Sequence, residues 1–266
     1  MNTFKPLSGK RIAVLAADGF EQTELKTPLT VLADGGAEVT LVSLRRGRIR
    51  GMHMHQPGDL VRVDRVIDDA QVADYDGLLI PGGYISPDIL RQSAQVRAFV
   101  RQFDAAGKPV ALLSQAPLIL VSAGLAPRRT LTSWPGIRDD VVNAGATWLN
   151  QDVVRDAHVL SCRGTQDLAA FVQALVPFFA DEPATSANTA DAQSDPAQDN
   201  PLELPNQSLR WLAAPSFGTM LSLALLGVGV MAAQRGRHRP KGAAEAGSDA
   251  PGSDPPRITH APASRG

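Results

Sequence analysis

The first 180 or so residues predict an α/β fold of three layers: a mostly parallel sheet with helices on both faces. Three observations carry this. Short apolar runs such as RIAVLAA, GLLIPGG and PVALLS are too continuous for strands with one wet face. These runs alternate with amphipathic stretches long enough for helices, the pattern of repeated strand–helix–strand units. Beyond about residue 180 both signals stop and the composition changes.

Taken in order, Arg11 to Ala17 is a strand covered on both faces. A helix follows over Glu24 to Gly35, with Leu25, Leu29 and Leu32 at helical spacing and the Gly35-Gly36 pair as a stop. Ala37 to Leu44 is the next strand, and LVRVD is counted as a short one. Gly77 to Gly83 forms a strand ending in a tight glycine turn. One helix over Pro87 to Ala106 then leads to the strand Pro109 to Ser114. This order is that of a flavodoxin-like sheet, in which ligand chemistry belongs at the carboxyl ends of strands. Three such ends stand out, Asp18-Gly19-Phe20-Glu21, Gly82-Gly83 and Ser114-Gln115-Ala116-Pro117, and the expectation is that they converge.

Residues 181–210 are rich in Asp, Pro, Ala, Ser and Asn and read as a disordered linker, because such a segment buries too little apolar surface to offset its chain entropy. Trp211 to Ala233 follows without a charge and is flanked by Arg235, Arg237, Arg239 and Lys241. Its length suits a membrane helix, although Pro215, Gly218, Gly227 and Gly229 weaken it. The basic flank favours a cytoplasmic C-terminus, whereas a cytoplasmic domain without a signal sequence favours the opposite orientation, and both remain open. Residues 234–266 read as a disordered tail. The expected location is cytoplasmic, with anchoring to the cytoplasmic membrane through residues 211–233.

Charge is nearly balanced, 26 Lys and Arg against 27 Asp and Glu, so no strong field points to nucleic acid; a small-molecule or protein ligand is expected. A single cysteine, Cys162, excludes an intrachain disulfide. In the apolar context VLSCRG it reads as a small core residue.

Five segments in order resemble one family. ADGFEQTEL is similar to its first loop, GDLVRVDRVIDDAQVADYDGLLIPGG to its central segment and AGKPVALLSQAPLILVSAGL to its nucleophile elbow. LTSWPGIRDDVVNAGATW and SCRGTQDLAAFVQAL are similar to the strands and last helix that follow. The family is DJ-1/PfpI, within the class I glutamine amidotransferase-like superfamily, and the resemblance covers about residues 9–180. It implies a cysteine nucleophile where this chain has Ser114, followed by histidine, glycine and proline where it has Gln115, Ala116 and Pro117. It also implies a supporting glutamate matching Glu21, an oxyanion amide in the glycine turn matching Gly83 beside Gly82, and an orienting carboxylate from a neighbouring subunit matching Asp88. Dimers or hexamers are implied as well.

A serine hydroxyl needs a base to become a useful nucleophile, and Gln115 supplies neither acid nor base near neutral pH. The inherited thiol mechanism is therefore expected to be absent. His53 and His55, in HMHQPGD, are possible bases, though alternate loop histidines are usually plain polar residues. Two ligands make a weak metal site, and neither metal nor cofactor is expected. Asp88, after Ser86-Pro87, is explained by helix capping alone. The leading expectation is a catalytically impaired, ligand-binding domain, stress-related and tethered to a membrane. The alternatives are a hydrolase, peptidase or glyoxalase/deglycase-like enzyme using Ser114, and an oligomeric structural module.

Overall fold

The computed structural model describes residues 5–181 and 192–197. The expected membrane helix 211–233, the tail 234–266 and most of the linker lie outside the described residues. Among the described residues no helix is long and apolar enough to cross a membrane.

Three loops that carry the site leave adjacent strands of one sheet. The described residues form twelve strands: β1 (Arg11–Leu15), β2 (Phe20–Glu21), β3 (Glu38–Ser43), β4 (Arg48–His53), β5 (Gln56–Arg62), β6 (Arg65–Val66), β7 (Gly77–Ile80), β8 (Val110–Leu113), β9 (Thr130–Leu131), β10 (Thr147–Trp148), β11 (Val153–Asp156) and β12 (Val159–Cys162). The main sheet has the order β11-β12-β8-β7-β1-β3-β6. Within it only β11 runs antiparallel to its neighbour; the other pairs are parallel. The helices are α1 (Gln22–Asp34), α2 (Ser86–Gln92), α3 (Ala94–Ala105), α4 (Pro117–Ala123), α5 (Arg138–Asn143) and α6 (Leu168–Phe179).

The continuous apolar runs mean what they were expected to mean. Every residue of β7, β8 and β12 is buried. Alternate residues of β1 feed two cores, Ala13 and Leu15 on one face, Ile12 and Val14 on the other. The first core packs α2, α3 and α4 through Leu90, Val96, Phe99, Phe103 and Leu120. The second packs α1 and α6 through Leu25, Leu32, Phe171, Leu175 and Phe178. Burying each such side chain contributes roughly 1.5–3 kcal/mol, which is why the alternation, more than local propensity, holds the three layers in register.

Two expectations fail locally. The single helix over Pro87 to Ala106 is two, because Ser93 adopts an extended backbone and its Oγ accepts the amide of Val96 at 3.3 Å, capping α3. LVRVD does not join the main sheet: Leu60 to Arg62 belong to β5, which pairs with β4 in a separate three-stranded sheet with β2. Leu60 is half exposed, so the segment lacks the burial on two faces that the main sheet requires.

Candidate active site

β1, β7 and β8 are neighbours, so the loops at their carboxyl ends converge. The amide of Glu21 donates to Gly82 O at 3.0 Å, and the Trp134 amide donates to Ser114 O at 2.9 Å. Ser114 sits between β8 and α4 with φ +57°, left-handed backbone that a residue with a Cβ adopts only at a cost of about 1–3 kcal/mol. Its amide donates to Cys162 O at 2.9 Å, which holds the turn against β12. The side chain is nearly inaccessible, as is that of Gln115.

The carboxylate at this turn belongs to Glu24, in the first turn of α1. Its Oε2 accepts the Gly82 amide at 2.9 Å and its Oε1 accepts the Thr165 hydroxyl at 2.8 Å. The Ser114 hydroxyl also favours the ionised form of this carboxylate. Burial pushes the Glu24 carboxyl up to about 7, against the lowering effect of these three groups; the nearby Glu21 charge raises it further. Gly82 is what lets the two side chains meet. A Cβ there would lie 2.4 Å from Ser114 Cβ and 2.5 Å from Glu24 Oε2.

Glu21, the carboxylate that the family resemblance pointed to, is occupied elsewhere. It is the N-cap of α1, accepting the Thr23 amide at 3.4 Å, and it accepts the Met54 amide at 3.1 Å. The difference is one helical turn: Glu24 shares the inward face of α1 with Leu25, Pro28 and Leu32, whereas Glu21 precedes the helix. A charged residue on an otherwise inward-facing stripe was the available signal.

Gln115 closes the other side. Its Oε1 accepts the Gly83 amide at 3.1 Å, so the donor expected for an oxyanion is already engaged. Gly83 has φ +111°, and a Cβ on it would strike Gly19 O at 2.5 Å, so a glycine is required for the turn. Ala116 is buried in the core under the elbow, the residue before α4, rather than in the cavity wall.

The histidines do not reach the elbow. His53 Nδ1 lies 3.8 Å from Glu21 Oε1, and His55 stacks on Tyr84 with ring centroids 6.0 Å apart. Among the described residues neither is hydrogen-bonded to Ser114. Asp88 does not cap α2 as expected: it lies inside the helix, paired with Arg91 Nε at 2.9 Å. Ser86 instead uses its Oγ to accept the Ala17 amide at 2.9 Å, tying α2 to the end of β1. Cys162 is fully buried as expected, and burial pushes its thiol up to about 12.

Beside the elbow lies a pocket of about 310 Å³, lined by Tyr84, Asp88, Gln115, Leu118, Trp134 and Ile137 among others. Tyr84 and Trp134 meet edge to face across it at 6.4 Å. An aromatic pair with one carboxylate and one amide suits a small polar molecule with an apolar part.

The DJ-1/PfpI family model matches residues 10–177. The deglycase TK1284 of Thermococcus kodakarensis is 40% identical over 166 residues, 62% of this chain and 97% of its own length. The deglycase PfpI of Pyrococcus furiosus is 37% identical over the same shares. Protein/nucleic acid deglycase 2 of Escherichia coli is 38% identical, covering 61% of this chain and 93% of its own. Among solved structures, a mutant of a DJ-1 superfamily protein from Salmonella typhimurium has a TM-score of 0.59 at 26% identity, covering 65% of this chain and 91% of its own.

Proposed function

Because the chain belongs to the DJ-1/PfpI family, we propose that it is an enzyme of the deglycase kind, acting on carbonyl adducts of amines with Ser114 as nucleophile. In this reading Ser114 stands where the family's active members carry cysteine. One observation carries it: a strained serine on a strand–helix turn beside a buried carboxylate whose proton affinity is poised near neutrality, the two close enough that a Cβ on Gly82 would strike both. Ionised Glu24 takes the hydroxyl proton as Oγ adds to a carbonyl carbon. One C–O bond forms, the carbonyl π pair moves to oxygen, and the proton rests on Glu24. The neighbouring carbinolamine then breaks its C–N bond as its hydroxyl oxygen becomes a carbonyl, Glu24 passing its proton to the departing amine and taking the one the hydroxyl loses. That proton returns to Oγ as the alkoxide re-forms the carbonyl and the Ser114 C–O bond opens.

A second reading, binding without turnover, is favoured by the hydrogen bond from Gly83 N–H to Gln115 Oε1, which fills the donor that a developing oxyanion needs. Self-association belongs to either reading: Tyr84, Ile85 and Ile89 form an exposed apolar strip beside the pocket.

The deciding experiment measures release of amine from a methylglyoxal adduct of N-acetyl-lysine by the full chain, with Ser114→Ala and Gln115→Ala alongside. Turnover that Ser114→Ala abolishes and Gln115→Ala raises supports the enzyme. No turnover in any of the three, with saturable adduct binding retained, supports the binding reading.

A further inference from the structure

Strand β10 is an outer strand whose amides point alternately to its partner and away. Thr147 N donates to Arg129 O at 2.8 Å and Leu149 N to Leu131 O at 2.9 Å, both towards β9. The alternate amides, that of Trp148 and, just beyond the strand, that of Asn150, face outwards, the open edge that sheets protect. Both are met by a segment far along the chain. Trp148 N donates to Ser194 Oγ at 3.0 Å and Asn150 N to Asp195 Oδ2 at 2.7 Å. In return Asp195 N donates to Trp148 O at 2.8 Å. Two short polar side chains thus supply acceptors where a paired strand would supply carbonyls.

The same segment touches the pocket wall. Asp195 O accepts Arg138 Nε at 2.8 Å, and Arg138, the first residue of α5, directly follows the segment that carries Trp134, Gly136 and Ile137. Trp148, whose backbone is bridged, is fully buried, and its Nε1 donates to Ser133 Oγ at 2.9 Å, next to Trp134. Ser194 and Asp195 are half buried, whereas Gln193, Pro196 and Ala197 are exposed.

We propose that the outer edge of β10 is a peptide-docking edge filled in cis by Ser194-Asp195, and that this docking fixes the Trp134–Arg138 wall of the pocket. The inference does not rest on the enzymatic reading. It accounts for a stretch of linker composition being seated on the domain.

The test is residue-level amide hydrogen exchange on the full chain, comparing wild type with Ser194→Ala/Asp195→Pro and with Gln193→Ala. The double variant removes the acceptors of both outward amides and the N–H given to Trp148 O. Exchange at Trp148 and Asn150 is expected to speed up about tenfold, the loss of roughly one hydrogen bond each. Ile137, whose amide bonds to Trp134 O, is expected to follow. Thr147 and Leu149 report that the fold is intact and should not change, and Gln193→Ala should match wild type. Unaltered exchange at Trp148 and Asn150, or no protection there in wild type, overturns the docking. Unaltered Ile137 overturns the effect on the wall. Protection that grows with protein concentration identifies the occupant as a second copy and overturns docking in cis.

Discussion

Glu24 and Thr165 are separated by 141 positions in the chain and meet at 2.8 Å, hydroxyl to carboxylate, under the Ser114 turn. Because the hydroxyl donates, it favours the ionised carboxylate and opposes the upward push of burial. Thr165→Val should therefore raise the Glu24 pKa above about 7 and move the rising limb of any Ser114-dependent pH profile upwards. A pH–rate profile on both proteins checks this. An unmoved limb means that Glu24 is not the group titrating.

Glu24 also sets a pH dependence of stability. Its folded pKa, about 7, lies above the unfolded value of 4.5, so the folded state holds the proton more tightly. The associated stability is fully present below pH 4.5 and is lost as pH rises to about 7; the shift corresponds to about 3 kcal/mol. Glu24→Gln should remove that slope. Urea unfolding at intervals between pH 4.5 and 8 should show wild type weakening relative to the variant, and parallel curves would contradict it.

Ser114→Gly relieves the left-handed backbone at φ +57° and should stabilise the protein by about 1 kcal/mol while ending any turnover. Thermal unfolding and the adduct assay together test the trade of stability for function.

Gly82→Ala should do the reverse of a mild change. The added methyl would press on Ser114 Cβ and Glu24 Oε2, within 2.5 Å of both, and on Leu113 O at 3.0 Å. Overpacking of this kind costs about 3 kcal/mol and should separate serine from carboxylate. Chemical denaturation and the pH–rate profile would both register it.

The thiol of Cys162, fully buried and pushed up to about 12, should resist iodoacetamide at pH 8 in the native protein and react in full after unfolding. Rapid labelling of the folded chain would show that the β12 end opens.

Much of this molecule is legible along the chain. The apolar runs of β1, β7 and β8 locate the buried sheet, and their carboxyl ends locate the elbow, since a strand covered on both faces shows its burial in each residue. The break at Ser93 escaped because a serine within a helical pattern caps a new helix only if the chain turns there, and the packing of α2 and α3 on the core decides that turn. The hairpin β4–β5 escaped because LVRVD has the composition of a strand but carries no mark of which sheet it joins.

At the site, sequence determined that Ser114 tops a strand–helix turn, that Gly82-Gly83 approaches it closely and that Cys162 is core. Tertiary structure alone decided that Glu24 and not Glu21 faces the serine, that Gln115 engages the Gly83 amide, and that Ser194-Asp195 seats on β10. The reason is physical. Which face of an element is buried follows from the period of its own residues, whereas which side chains meet across loops depends on crossovers and helix rotation, fixed only when all layers pack together.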